Sequence, residues 1–156
     1  MKNLNTRITA ILLLVALCAV MIVPAMAAAP TGYTCADGTV VSTGILGSAG
    51  APRYQSIYSQ VVNGSTSYTA AFACAAENGP DMRFTITNTG STTIYVAAYR
   101  NGSYISGGDY TVAPGETRYT TANKPTGLDG TFKFILTTDS PSGMNCTMST
   151  VQGTNV

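Results

Sequence analysis

Four cysteines, seven carboxylates and no histidine define the chemistry open to this 156-residue chain. Without histidine there can be no Ser–His–Asp or Cys–His catalysis and no histidine zinc site. The side chain that most often serves as a general base near neutral pH is also missing. No C-x-x-C pair occurs, which excludes a thiol–disulfide exchange motif and an all-cysteine zinc site. Nor is there a G-x-x-x-x-G-K-[ST] or G-x-G-x-x-G loop to cradle a phosphate. Two carboxylates alone can cleave a glycoside. Here, however, Asp37, Glu77, Asp81, Asp109 and Asp129 fall in the turn contexts "ADGT", "ENGPD", "GGDY" and "LDGT", where such side chains satisfy local backbone groups. Glu116 follows a Pro–Gly turn at a strand start. Loop oxygens near Asp109 or Asp129 would suit calcium, but no D-x-[DN]-x-[DN]-G spacing is present. The expectation is a protein that is not an enzyme and uses neither a metal nor a cofactor.

The cysteines are the sharpest clue. Cys18 lies in a greasy N-terminal run and is expected to leave with it, so Cys35, Cys74 and Cys146 remain as disulfide candidates. Three cysteines cannot all pair within one chain. Joining Cys74 to Cys146 would close a loop of about seventy residues and add a few kcal/mol, leaving Cys35 over on a Gly-rich arm. Joining Cys35 to Cys74 would staple the arm and leave Cys146 spare. An odd cysteine in a secreted chain points to an intermolecular bond or a free thiol.

Aromatic residues offer a second kind of chemistry. Tyr95, Tyr99 and Tyr104 flank the "RNGS" hairpin and could stack on a sugar ring, although the chain has no Trp. Outward Tyr also serves ordinary cross-strand pairing. Asn63, Asn101 and Asn145 each start an N-x-[ST] triplet, and that at Asn101 doubles as a hairpin turn. Lys133, within "FKF", has the parity of the solvent side, which argues against an isopeptide cross-link.

The N-terminus supplies the compartment. Lys2 and Arg7 precede an apolar run from Ile8 to Val23, followed by Pro24 and the small-residue sites ending at Ala27 and Ala29. This is the pattern of a signal peptide over residues 1–27, cut after Ala27 or Ala29. Its apolar core of 16 residues is shorter than the roughly 20 that span a bilayer. Export to the cell envelope or the medium follows, where disulfides can form. The 129 residues left carry 6 basic and 7 acidic side chains, so no basic field exists for nucleic acid or anionic lipid.

Those 129 residues contain 22 Thr, 12 Ser, all 16 Gly and all nine Tyr of the chain, a composition of strands and turns. Period-2 alternation runs through Phe84 and Ile86, through Ile94, Val96 and Ala98, and through Phe132, Phe134 and Leu136. Asn101–Gly102 suits a two-residue hairpin, and Pro114–Gly115 a type II turn. "GTVVST", "TSYTAAFAC" and Met144–Val151 read as further strands. In "PRYQSIYSQVVNG", Tyr54, Ile57, Tyr58, Val61 and Val62 have helical spacing, while the β-rich composition argues for an edge strand. The prediction is an all-β fold: an N-terminal arm over 28–38 and a single β-sandwich over 39–156. It would have seven to nine short strands in Greek-key or jelly-roll connection, with room for one short helix near 52–62.

The succession "FTITNTGSTTIYV…RNGS…YTVAPGE", over residues 81–121, is similar to that in secreted prokaryotic β-sandwich modules of surface layers and extracellular filaments. A sandwich with a cysteine-bearing arm also looks like subunits of disulfide-linked bacterial appendages, although this chain has no cysteine cluster. The resemblance implies a self-associating cell-surface or filament subunit whose partner is another copy or another surface protein. Donor-strand exchange is not expected, because "AAPTGYTCADG" lacks alternating apolar residues. The alternative is a secreted carbohydrate-binding module using the Tyr strip. Neither reading calls for nucleic acid, nor for a membrane once the leader is cut.

Overall fold

A computed structural model describes residues 32–45 and 53–156. The leader and the first part of the arm lie outside these residues. Eleven strands form in the described part: β1 (Gly32–Thr34), β2 (Val40–Ile45), β3 (Arg53–Ser65), β4 (Ser67–Cys74), β5 (Asp81–Asn88) and β6 (Ile94–Arg100), then β7 (Ser103–Tyr104), β8 (Tyr110–Val112), β9 (Thr117–Asn123), β10 (Gly130–Thr137) and β11 (Met144–Thr154). One six-stranded sheet has the order β1-β2-β9-β5-β11-β3, and the other runs β4-β10-β6-β7 with β8 also paired to β6. All pairings are antiparallel. The protein is an all-β sandwich. Its strand number exceeds seven to nine because three very short strands, β1, β7 and β8, finish one side of it.

Alternation builds the core. Met82, Phe84 and Ile86 of β5 and Met144, Cys146 and Met148 of β11 face Ile94, Val96 and Ala98 of β6 and Phe132, Phe134 and Leu136 of β10. Phe84 and Phe134 meet between the sheets with ring centroids 4.0 Å apart, and Phe72 of β4 lies 5.9 Å from Phe134. Burying side chains of this size contributes about 1.5–3 kcal/mol each. The inward rows end in polar residues, each with its own partner. Gln152 donates to the carbonyls of Ala75, Gly79 and Leu128, and Asn88 donates to those of Thr92 and Val112. These bonds satisfy buried amides that would otherwise be costly to desolvate.

The turns follow their sequence signals. Asn101 and Gly102 both have positive φ, 49° and 82°, as a two-residue hairpin between β6 and β7 requires.

The segment with helical spacing is no helix. Residues 53–65 form β3, the longest strand, paired with β11. Tyr58 opposes Thr150 and Ser56 opposes Val151, so Ile57 is an extra residue in the ladder. This bulge turns Ile57 and Tyr58 together against the core. Two adjacent inward residues are what gave a strand the i, i+3, i+4 look of a helix. A second irregularity skips Gly64.

Candidate functional site

β3 and β4 are the last strands of their sheets, and the chain passes from one to the other through Thr66. Both therefore end the sandwich on the same side. Tyr58 and Tyr68 bring their hydroxyls to 3.2 Å across the gap between the sheets, and the Tyr58 ring lies 5.6 Å from Phe72. Burial, reinforced by the Tyr68 hydroxyl, pushes the Tyr58 phenol above its usual range. These half-buried rings plug the space between the two edges.

Among the described residues no strand pairs with the outer side of β3 or of β4. About every second residue of such an edge turns its N–H and C=O outward. Edges of this kind are normally blunted by lysine, by proline or by shortness. Here the 23 residues from Tyr54 to Ala76 contain no charged residue and no proline. Val61 and Tyr54 on the outer face of β3 are 56% and 51% exposed. Between the two irregularities Tyr58–Asn63 keeps an unbroken register with β11. The stretch "YSQVVN" is thus regularly paired, uncharged and rich in β-formers, features that favour strand-on-strand association. The charge-free run can be read directly from the sequence, but its position at two edges depends on sheet order, which the sequence does not display.

The opposite side is closed. Arg100 continues the inward row Ile94, Val96, Ala98 and is only 5% exposed. Its guanidinium pairs with Asp37, in the turn after β1, and donates to the Asp129 carbonyl at 2.9 Å. Lys124 bridges to Asp129 at 2.6 Å and approaches Asp37 at 3.9 Å. The hydrogen bond from Arg100 holds the Asp37 carboxyl at about 2, well below the usual carboxylate value. A cavity of about 750 Å³ lies beside this cluster, between Gly32–Asp37 and the β6–β7 hairpin with its following loop. Parity alone marks Arg100 as inward, and that was the available signal for this cluster.

Cys35 is half-buried, lines that cavity and packs against the core. Cys74 ends β4 in one sheet and Cys146 lies on β11 in the other. All three are free thiols in the structure, with neither pairing formed. Burial pushes the Cys74 thiol up to about 12 and the Cys146 thiol up to about 11, so both are inert at neutral pH.

Of the three tyrosines, Tyr99 and Tyr104 meet, and Tyr95 lies further along the same face. Tyr95 and Tyr99 project from the outer face of β6, and the hairpin sets Tyr104 opposite Tyr99, ring centroids 5.6 Å apart and edge to face. The Lys133 ammonium lies 4.4 Å from the Tyr99 ring centre, on the outer face as parity predicts. Asp37 and Asp129 share Lys124 beside the cavity, and most of the other carboxylates are engaged elsewhere. Asp109 accepts from the Tyr104 hydroxyl, Glu116 from the Ala113 N–H and Arg118, and Asp81 from Asn123 and the Asn155 N–H. Among the described residues no three His, Cys, Asp or Glu side chains cluster as a metal site would need.

By fold, the chain is an antiparallel β-sandwich whose β3 and β4 edges are unpaired among the described residues. Comparison with protein families and with curated proteins finds no match for it.

Proposed function

We infer that this protein is an exported, non-enzymatic structural module that associates with further copies of itself at the cell surface or in an extracellular filament. The observation that carries the reading is the pair of adjacent, unpaired edge strands in a charge-free run from Tyr54 to Ala76. The six in-register residues Tyr58–Asn63 of this edge strand extend about 20 Å and offer a template to the same strand of a neighbour. Main-chain hydrogen bonds would supply the affinity, and Val61 and Tyr54 the side-chain contacts. Export is read from the leader.

A covalent link through Cys35 is the second route to the same assembly. Cys35 is half-buried and lines the cavity, so a partner thiol would have to enter there. Sedimentation of the exported protein with and without reductant, beside Val61→Lys and Cys35→Ser, separates the routes. Reductant-resistant oligomers lost in Val61→Lys support edge pairing, and oligomers lost with reductant and in Cys35→Ser support the thiol. A protein that is monomeric at high concentration under both conditions overturns self-association.

A further inference from the structure

We propose that the outer face of β6 carries a binding slot for a neutral saccharide, independent of the edge that joins copies. Along β6 the outward residues read Tyr95, Ala97, Tyr99, so a small side chain lies between two aromatic ones. The neighbours in register deepen this arrangement, with Ile135 of β10 beside Ala97 and Thr111 of β8 beside Tyr95. The result is a groove of about 400 Å³, floored by Ala97 and walled by Tyr95 and Tyr99, with Asp109, Thr111 and Thr137 at its rim. That volume lies within the range of small-molecule sites.

The charges around the slot select the class of ligand. The Lys133 ammonium already occupies the cation position over Tyr99, which disfavours a second cation there. Asp109 lines the groove and Asp139 lies against the Tyr95 hydroxyl, and these carboxylates disfavour an anion. A neutral ring remains, one with C–H groups on its faces and hydroxyls on its edge. One of its faces would lie on the Tyr95 ring, since Lys133 covers that of Tyr99. Its hydroxyls would donate to Asp109 and exchange hydrogen bonds with Thr111 and Thr137. The walls are pre-set: Tyr99 is held between Lys133 and Tyr104, and Tyr104 in turn donates to Asp109. A pre-organised site loses less entropy on binding.

The test is calorimetric titration of the full exported protein with three probes: cellohexaose, maltohexaose and the hexamer of N-acetylglucosamine. At least one is expected to bind. Tyr95→Ala, which removes a wall, and Ala97→Leu, which fills the floor, should each weaken binding by about tenfold or more. Val61→Lys, on the other sheet, should leave it unchanged. No binding by any probe, or binding that survives both slot variants, overturns the proposal. Loss of self-association in Tyr95→Ala without saccharide binding would instead make this face a contact between copies.

Discussion

The two sides of this sandwich solve the same problem differently. On one side the edges are β1, β7 and β8, of three, two and three residues, and the ends of the sheets are tied by Asp37, Arg100, Lys124 and Asp129. On the other the edges are β3 and β4, of 13 and eight residues, with two tyrosine hydroxyls between them and no charge from Tyr54 to Ala76. Short strands and fixed charges are the ordinary means of stopping edge-to-edge growth. Only the first side uses them. The β3 edge keeps just its two irregularities, at Ile57 and Gly64, and they leave the six residues between them in unbroken register. A protein under pressure to remain single would have one lysine there. Strand length is therefore what separates the two sides, since Arg100, Lys124 and Asp129 lie at the ends of the inner strands β6, β9 and β10.

The most direct way to break the comparison is to give the open side the charge it lacks. Val61→Lys places an ammonium on a side chain that is 56% exposed, so the monomer should keep its stability within about 0.5 kcal/mol. In a two-fold pair of β3 strands the new charges would face one another, at a cost of several kcal/mol. Association should therefore weaken by about a hundredfold or more, seen as a shift to monomer in sedimentation velocity. Thr69→Lys does the same on β4 and should have the smaller effect, because that edge is shorter. Equal effects would mean that both sheets are extended together.

The closed side should fail in a different way, by losing stability without changing its state of association. Asp37→Asn leaves the Arg100 guanidinium buried without its counter-charge. Breaking a fully buried pair costs about 3–5 kcal/mol. Asp37 is 38% exposed and Arg100 keeps the Asp129 carbonyl, so about 2 kcal/mol is expected. Chemical denaturation measures it. Adding Arg100→Met to Asp37→Asn removes the stranded charge and should recover most of the loss. If the double variant is as unstable as the single one, the ion pair is not what closes this side.

Much of this comparison was legible in the sequence, strand by strand. Alternation in Ile94–Ala98 and Phe132–Leu136 gave the buried faces, and it placed Tyr95 and Tyr99 on the same outer face of one strand. The Asn-Gly dipeptide gave the hairpin that brings Tyr104 to Tyr99. What stayed hidden was non-local. The helical spacing in β3 came from a bulge, a feature defined by two strands and invisible in one. The neutral run from Tyr54 to Ala76 is plain in the composition, but only the strand order makes it an edge. Arg100 has inward parity, yet its partner is 63 positions away in sequence, in a turn that looked like part of a loose arm.

Two smaller effects sharpen the picture of the closed side. Gly107 has φ near 74°, and a Cβ there would meet the ring of Tyr33, which packs from β1 against the loop after β7. Gly107→Ala should cost about 1–2 kcal/mol through the left-handed backbone and the displaced ring, and should expose the arm to proteolysis ahead of the remaining domain. The least is expected from acid. The folded Asp37 carboxyl titrates at about 2 against an ordinary value of 3.8. The lowered value means that its stabilisation is fully present above pH 4 and is lost as pH falls from 4 towards 2. Because the carboxylate is partly exposed, solvent screening reduces the effect to about 1 kcal/mol. Unfolding midpoints measured between pH 5 and pH 2 should fall in wild type and show a shallower slope in the Asp37→Asn/Arg100→Met variant. The open side has no ionisable group that titrates in this window, so association scaled to the folded fraction should stay constant over the same range. If association instead changed together with the Asp37 titration, the two sides would be coupled through the sheets rather than independent.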